Sequence, residues 1–182
     1  MLKKNALFVV DMQNDFVRTD GALSVPNAKE IIPLINRDLP VYDVIVYTVD
    51  WHPKDHTSFI KDWPEHCVQS TFGAELYPEL YPCSRGETIR IKKGTDRESH
   101  PYGPFSDNDG TNHTGLDVQL KDLGVGAVFV CGVALKFCVK YTAMQAAKAG
   151  FVTYILMSHT RDIGTTPDSF YYNMVDAGVV LL

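Results

Sequence analysis

The chain has 182 residues, the size of one compact domain, and its 45% hydrophobic and 21% charged residues are those of an ordinary soluble globular protein. With 17 basic and 22 acidic side chains the formal charge is −5, and no Lys/Arg cluster extends beyond Lys3-Lys4 and Lys92-Lys93, which excludes the electrostatic footprint of a nucleic-acid or anionic-membrane binder. The longest apolar stretch, Val125 to Leu135, is 11 residues with two glycines, far short of the roughly 20 that cross a bilayer. Asp11 follows the first apolar run at once, leaving no room for a signal-peptide core, so the expected location is cytoplasmic.

The first apolar run, Leu7–Val10, reads as a strand. Asn27, with Glu30 three residues on, reads as the cap of a helix through about Arg37, with Pro33 as a break or kink. Strands are predicted next at Val44–Val49 and Thr88–Ile91. Thr114 to Leu123 has apolar residues at Leu116, Leu120 and Leu123 and a stop at Gly124, the pattern of a helix. A strand at Ala127–Cys131 leads to a long helix from Lys136 to Gly150. Then come a strand at Val152–Met157, a helix from Ser169 to Ala177 and a last strand at Val179–Leu182. Each strand is short and nearly all apolar, as strands buried on both faces of a parallel sheet are. The alternation predicts a three-layer α/β/α sandwich with a mainly parallel, roughly six-stranded sheet, as a single domain over residues 1–182.

Ligands of open α/β sheets bind outside the carboxyl ends of the strands. The polar residues there are Asp11, Asp50, Lys93 and the Gly132–Cys138 segment, all at one edge of the sheet. Cys138 sits just inside a helix N-terminus, where free N–H groups and a neighbouring cation can lower a thiol pKa and stabilise an oxyanion; a buried helical cysteine is the plainer reading. Asp11 and Lys93 at the same edge suggest a carboxylate that takes the thiol proton and a lysine that holds both anions in place. Cys67 and Cys131 read as structural, and no CxxC spacing joins the four cysteines, Cys83 included, into a redox pair or disulfide framework. Asp50, His52, His56 and His66 are suitable ligands for zinc, iron or manganese; surface histidines and a turn aspartate are the alternative. Three of the six histidines fall within 15 residues, and Asp50 and His52, two apart in extended chain, point to one side.

In order, the chain carries Ala6-Leu7-Phe8-Val9-Val10-Asp11-Met12-Gln13-Asn14-Asp15-Phe16, Asp50-Trp51-His52-Pro53, Trp63-Pro64-Glu65-His66-Cys67, Lys93-Gly94-Thr95-Asp96, Gly132-Val133-Ala134 and Cys138. Together these resemble the nicotinamidase branch of the isochorismatase-like hydrolases over nearly the whole length. The resemblance implies a catalytic triad of Asp11, Lys93 and Cys138. It also implies one divalent metal ion held by Asp50, His52 and His66, with His56 as a further candidate; zinc comes first, iron or manganese as alternatives. It further implies a cis Val133–Ala134 bond, an oxyanion hole from the N–H groups of Ala134 and Cys138, and pyridine-ring contacts from Phe16, Trp63 and Tyr102. The implied activity is hydrolysis of nicotinamide to nicotinate and ammonia, in NAD salvage. Relatives are often homo-oligomers, so the resemblance also allows a homo-oligomer here.

Two features depart from the family pattern. Leu135-Lys136-Phe137 stands where the family more often has Thr-Asp-Tyr, and Lys136 puts positive charge near a helix start, where negative charge is favoured. Lys136 either faces solvent or joins an oligomer contact. The chain also stops on the last strand, without a further helix. The competing readings are a same-fold hydrolase for a different amide or an isochorismate-like ether, and a catalytically inactive, metal-stabilised binding module. The metal set argues against ether cleavage, and the intact Asp11, Lys93 and Cys138 argue against an inactive module.

Overall fold

The structure is a computed structural model that describes residues 3–81 and 86–182, so Cys83 lies outside the described residues. Six strands, β1 (Lys4–Val10), β2 (Val44–Asp50), β3 (Glu87–Lys93), β4 (Val125–Gly132), β5 (Val152–Thr160) and β6 (Val179–Leu181), form one sheet in the order β3-β2-β1-β4-β5-β6. Every pairing is parallel. The helices are α1 (Asn14–Val17), α2 (Ile32–Asp38), α3 (Ser58–Lys61), α4 (Leu116–Asp122), α5 (Lys140–Lys148) and α6 (Asp168–Asp176).

Alternation along β1 sorts the core into two layers. Ala6, Phe8 and Val10 face a cluster completed by Leu116 and Leu120 of α4, Ala143 and Ala146 of α5, and Phe170 and Met174 of α6. Leu7 and Val9 face the opposite cluster, with Ile32 and Ile35 of α2 and Ala28 and Ile31 just before it. Both faces of the central strands are therefore buried, which is why residues 6–10 of β1 are all apolar and residues 44–49 of β2 are apolar but for Thr48. The expected three-layer sandwich and all six strands stand.

Three local expectations change. Asn27 is not a side-chain cap: it lies in the left-handed region at φ 59° and makes no capping hydrogen bond. A short 3-10 turn, Ala28–Ile31, follows, and Pro33 sits in the first turn of α2, where a missing N–H costs nothing, so it opens the helix instead of kinking it. The long helix expected from Lys136 is split. Leu135–Val139 forms a π-type turn with Phe137 at φ −118° and ψ −105°, and regular helix begins only at Lys140.

The carboxyl ends of β1, β2, β3 and β4 are held level by the register. Asp50 pairs with Lys93 across β2 and β3, and Val10 pairs with Thr48 on one side and Gly132 on the other. Gly132 must be glycine: at φ +107° a Cβ would lie 2.2 Å from the Val10 carbonyl oxygen. Among the described residues no helix is long and apolar enough to cross a membrane.

Candidate active site at the carboxyl ends of the strands

The centre of the site is the Lys93 ammonium, buried at the end of β3. Its Nζ lies 2.8 Å from Asp11 Oδ2, 2.7 Å from Asp50 Oδ1 and 3.5 Å from Cys138 Sγ. Asp11 leaves β1 at φ 51°, and its other oxygen accepts a 2.6 Å hydrogen bond from the Thr48 hydroxyl. Asp11, Asp50 and Cys138 bring one donor atom each within 4.8 Å of one another. Residues 127 positions apart in sequence thus meet around one cation because parallel strands end at the same edge.

The two carboxylates are driven apart electrostatically. Burial pushes Asp11 above the ordinary carboxylate value, and the nearby Asp50 charge adds to this against the pull of Lys93. Burial alone would also raise Asp50, but Lys93 and His52 outweigh it and hold Asp50 well below the usual range. Lys93 loses to burial but gains more from Asp11 and Asp50, so it stays charged. The lowered Cys138 pKa expected from a helix N-terminus is not found. Burial, followed by the effect of Asp11 and Asp50 against Lys93, pushes the thiol well above its ordinary value. With both the Asp11 carboxyl and the Cys138 thiol raised by burial, the pair is suited to pass a proton from sulfur to carboxylate.

Asp50, His52 and His66 form a second cluster, with ligand atoms within 4.8 Å of one another and all three residues buried. Asp50 Oδ2 is 3.8 Å from His52 Nε2 and 4.0 Å from His66 Nε2. Each imidazole donates its Nδ1–H to a backbone carbonyl, His52 to Gly94 at 3.1 Å and His66 to Pro64 at 2.7 Å. Since a carbonyl only accepts, this sets the tautomer and leaves both Nε2 lone pairs aimed at the Asp50 oxygen. Ion-to-ligand bonds of about 2.0–2.2 Å span these separations, so the donor set fits a divalent ion of the zinc type. His66 folds back as its role demands: the His52 N–H donates to Cys67 O at 3.0 Å, and the Gln69 N–H donates to His52 O at 2.8 Å.

His56 is brought close but turned elsewhere. Its Nε2–H donates to Ser99 O at 2.8 Å, and its Nδ1 accepts from the Ser58 hydroxyl at 2.6 Å. With both nitrogens engaged it supports the His52 ring, 4.3 Å away, and offers no lone pair to the cluster.

A cavity of about 340 Å³ opens over both clusters. Phe16, Trp63 and Tyr102 line it, together with Val133, Ala134 and Cys138. The Val133–Ala134 peptide bond is cis. Phe16 lies 5.6 Å from the His66 ring, and the Trp63 indole N–H donates to the Tyr102 hydroxyl at 3.3 Å. Other lining residues were not foreseen from the sequence, among them Leu23, His100, Phe137 and Ile163. Phe137 packs edge-on against Trp63 at 4.9 Å, a place its position beside Cys138 could have suggested. Ile163 comes from the loop after β5, and nothing in its local sequence marks it.

Other residues of the quoted motifs hold these groups in place. The Gln13 amide donates to the carbonyls of Asp50 and Ala74 at 2.7 and 2.8 Å and accepts the Asp50 N–H at 2.8 Å. Asp15 accepts the Cys67 N–H at 2.7 Å, pinning the strand of chain that carries His66. Cys67 and Cys131 are buried free cysteines, in keeping with structural roles.

A cysteine, a basic carboxylate and a buried lysine beside a His/His/Asp cluster, at the carboxyl ends of a parallel sheet, define a cysteine hydrolase of the isochorismatase type. The chain belongs to that family, since the isochorismatase domain model matches residues 5–180. Among its relatives, the nicotinamidase of Acinetobacter baylyi is 36% identical, over 96% of this chain and 90% of the relative. Among solved structures, PnC1 from L. infantum in complex with nicotinate superposes with a TM-score of 0.90 at 36% identity, covering 99% of this chain and 92% of that one. The pyrazinamidase of Pyrococcus horikoshii in complex with zinc gives 0.85 at 35% identity, covering 98% of both chains.

Proposed function

We propose that this chain is a nicotinamidase, an amidohydrolase that converts nicotinamide and water to nicotinate and ammonia through a thioester on Cys138. The observation that carries the reading is the single buried Lys93 ammonium in contact with Asp11, Asp50 and Cys138. It ties a nucleophile and its base to the cluster of Asp50, His52 and His66, in a chain that resembles nicotinamidases from end to end.

Asp50, His52 and His66 would hold one divalent ion, zinc by the chemistry of the donors and by likeness to the zinc-bound pyrazinamidase, with iron or manganese as alternatives. When bound, the ion supplies an electropositive anchor for the ring nitrogen of the substrate. Phe16, Trp63, Tyr102 and Phe137 enclose the flat ring and exclude water, which fixes the carboxamide over Cys138. Asp11, made basic by burial, removes the thiol proton as the sulfur attacks the amide carbon. Lys93 compensates the charge on Asp11 and on the sulfur throughout. The N–H groups of Ala134 and Cys138 receive the oxyanion; among the described residues no acceptor takes up the Ala134 N–H. Asp11 returns the proton to the departing amine, and ammonia leaves. Asp11 then removes a proton from water, the hydroxide adds to the thioester carbon, the C–S bond breaks as the proton returns to Cys138, and the carboxylic acid so formed releases its proton to solvent as nicotinate. The product supplies pyridine-nucleotide salvage, and the cytoplasm is the proposed site of action.

The test is ammonia release from nicotinamide by the metal-loaded protein, with Cys138→Ala and a chelated sample alongside. The expected result is release that both treatments abolish. Release that survives chelation overturns the metal assignment, and no release by the loaded wild type overturns the substrate.

A further inference from the structure

Lys136 stands next to the reacting turn, and its half-buried ammonium is engaged by groups of its own chain. Its Nζ donates to Ile163 O at 2.9 Å and Thr165 O at 2.7 Å, and lies 3.7 Å from Asp162 Oδ2. Its backbone N–H donates to Asp162 Oδ1 at 3.2 Å. The ammonium is 22% exposed and the carboxylate 9%. Asp162 is itself committed within its loop, accepting from the Ile163 N–H at 2.9 Å and the Thr166 hydroxyl at 2.7 Å. Leu135 N–H adds a bond to Arg161 O at 3.0 Å. The loop after β5 is thus fastened to the turn that carries Phe137 and Cys138, and among the described residues no other side chain donates to the carbonyls of 163 and 165.

The fastened segment has one inward-facing apolar side chain. Ile163 lines the cavity and packs with the cluster that contains Phe16, Leu23, Val133 and Phe137. Loop segments held by few apolar contacts open at low free energy unless tied, and here the tie is a lysine that caps two otherwise unclaimed carbonyls. A cation at 136, unfavourable for a helix start, is favourable here because the carbonyls and the Asp162 carboxylate converge on it.

We propose that Lys136 is a positioning residue that holds Ile163 against the substrate ring and thereby sets which pyridine carboxamides the cavity accepts. It acts on ring binding and not on the bond-making steps, because it touches neither Cys138 Sγ nor Asp11. The proposal rests on the nicotinamidase reading, so its test has one arm that needs no substrate.

The metal-loaded full chain is compared with Lys136→Met, which keeps the stem and loses the donors, with Lys136→Arg, with Ile163→Ala, and with the Met/Ala double variant. In the substrate-free arm, hydrogen exchange over residues 161–166 quickens by about fivefold or more in Lys136→Met while the strands are unchanged. Unaltered exchange overturns the tie, whatever the enzyme acts on. In the kinetic arm, Lys136→Met raises KM for nicotinamide by about tenfold with kcat within about threefold, and Lys136→Arg restores KM to within about twofold. Lys136→Met also narrows the preference for nicotinamide over 5-methylnicotinamide. If Lys136 acts through Ile163, the double variant is no worse than the worse single one. Two KM factors that multiply, or a loss confined to kcat, overturn the proposal. A wild type that releases no ammonia sinks the substrate assignment and leaves the exchange result to decide whether the tie exists.

Discussion

At Lys93 one ammonium faces two carboxylates and a thiol, and the two carboxylates respond in opposite ways. Asp50 stays an anion fit for a metal, whereas Asp11 becomes a base. The raised Asp11 value places the acid limb of kcat/KM above the ordinary 3.8, because activity needs the deprotonated carboxylate and falls as pH drops through that pKa. A pH profile with a limb at or below 3.8 would remove Asp11 as the base. Asp11→Asn should lower kcat by about 10²–10⁴ with little change in KM. Gly94 is a second decisive residue. It sits at φ +61°, its carbonyl accepts the His52 Nδ1–H, and a Cβ there would lie 2.3 Å from His52 Cε1. Gly94→Ala should weaken metal binding by about 10–100-fold, read by competition with a chromogenic chelator. Unchanged affinity would mean that His52 is not a ligand.

Among the elements, the segment after β1 does more than its short helix suggests. Gln13 binds the backbone of Asp50 on both sides, and Asp15 binds the chain beside His66, so the first motif braces the metal ligands of a distant loop. Gln13→Ala leaves a buried N–H and two carbonyls unsatisfied and should cost about 2–4 kcal/mol in urea unfolding, together with weaker metal binding. A loss below about 0.5 kcal/mol would show that water replaces the amide. Helix α4 offers the contrast. Leu120 is fully buried against the far side of the sheet, so Leu120→Ala should cost about 2–5 kcal/mol of stability while kcat of the folded enzyme is unchanged.

For the whole molecule, the two clusters share Asp50, so metal, lysine and nucleophile are coupled through one carboxylate. An ion bound only by the folded chain stabilises it by about 2.7 kcal/mol at a hundredfold excess over its dissociation constant. Thermal unfolding with and without zinc should show that gain in the wild type and none in His52→Ala. The sequence alone determined the six strands, because the central ones are buried on both faces and nearly all apolar, while edge strand β3 still alternates Ile89 and Ile91 with exposed Thr88, Arg90 and Lys92. It also determined which polar residues end those strands, because a parallel sheet carries them all to one edge. Asp11, Asp50, His52, His66, Lys93 and Cys138 were legible for that reason and through the motifs they stand in. Only the tertiary structure decided the direction in which the Cys138 pKa moves, since that depends on the charges and burial around the thiol more than on its place in a helix. It decided that His56 spends both nitrogens on Ser58 and Ser99, and that Lys136 turns to the loop after β5. Ile163 became a cavity wall in the same way. Each of these depends on partners far away in the chain, and where a side chain points is set by which acceptors the folded backbone brings within reach.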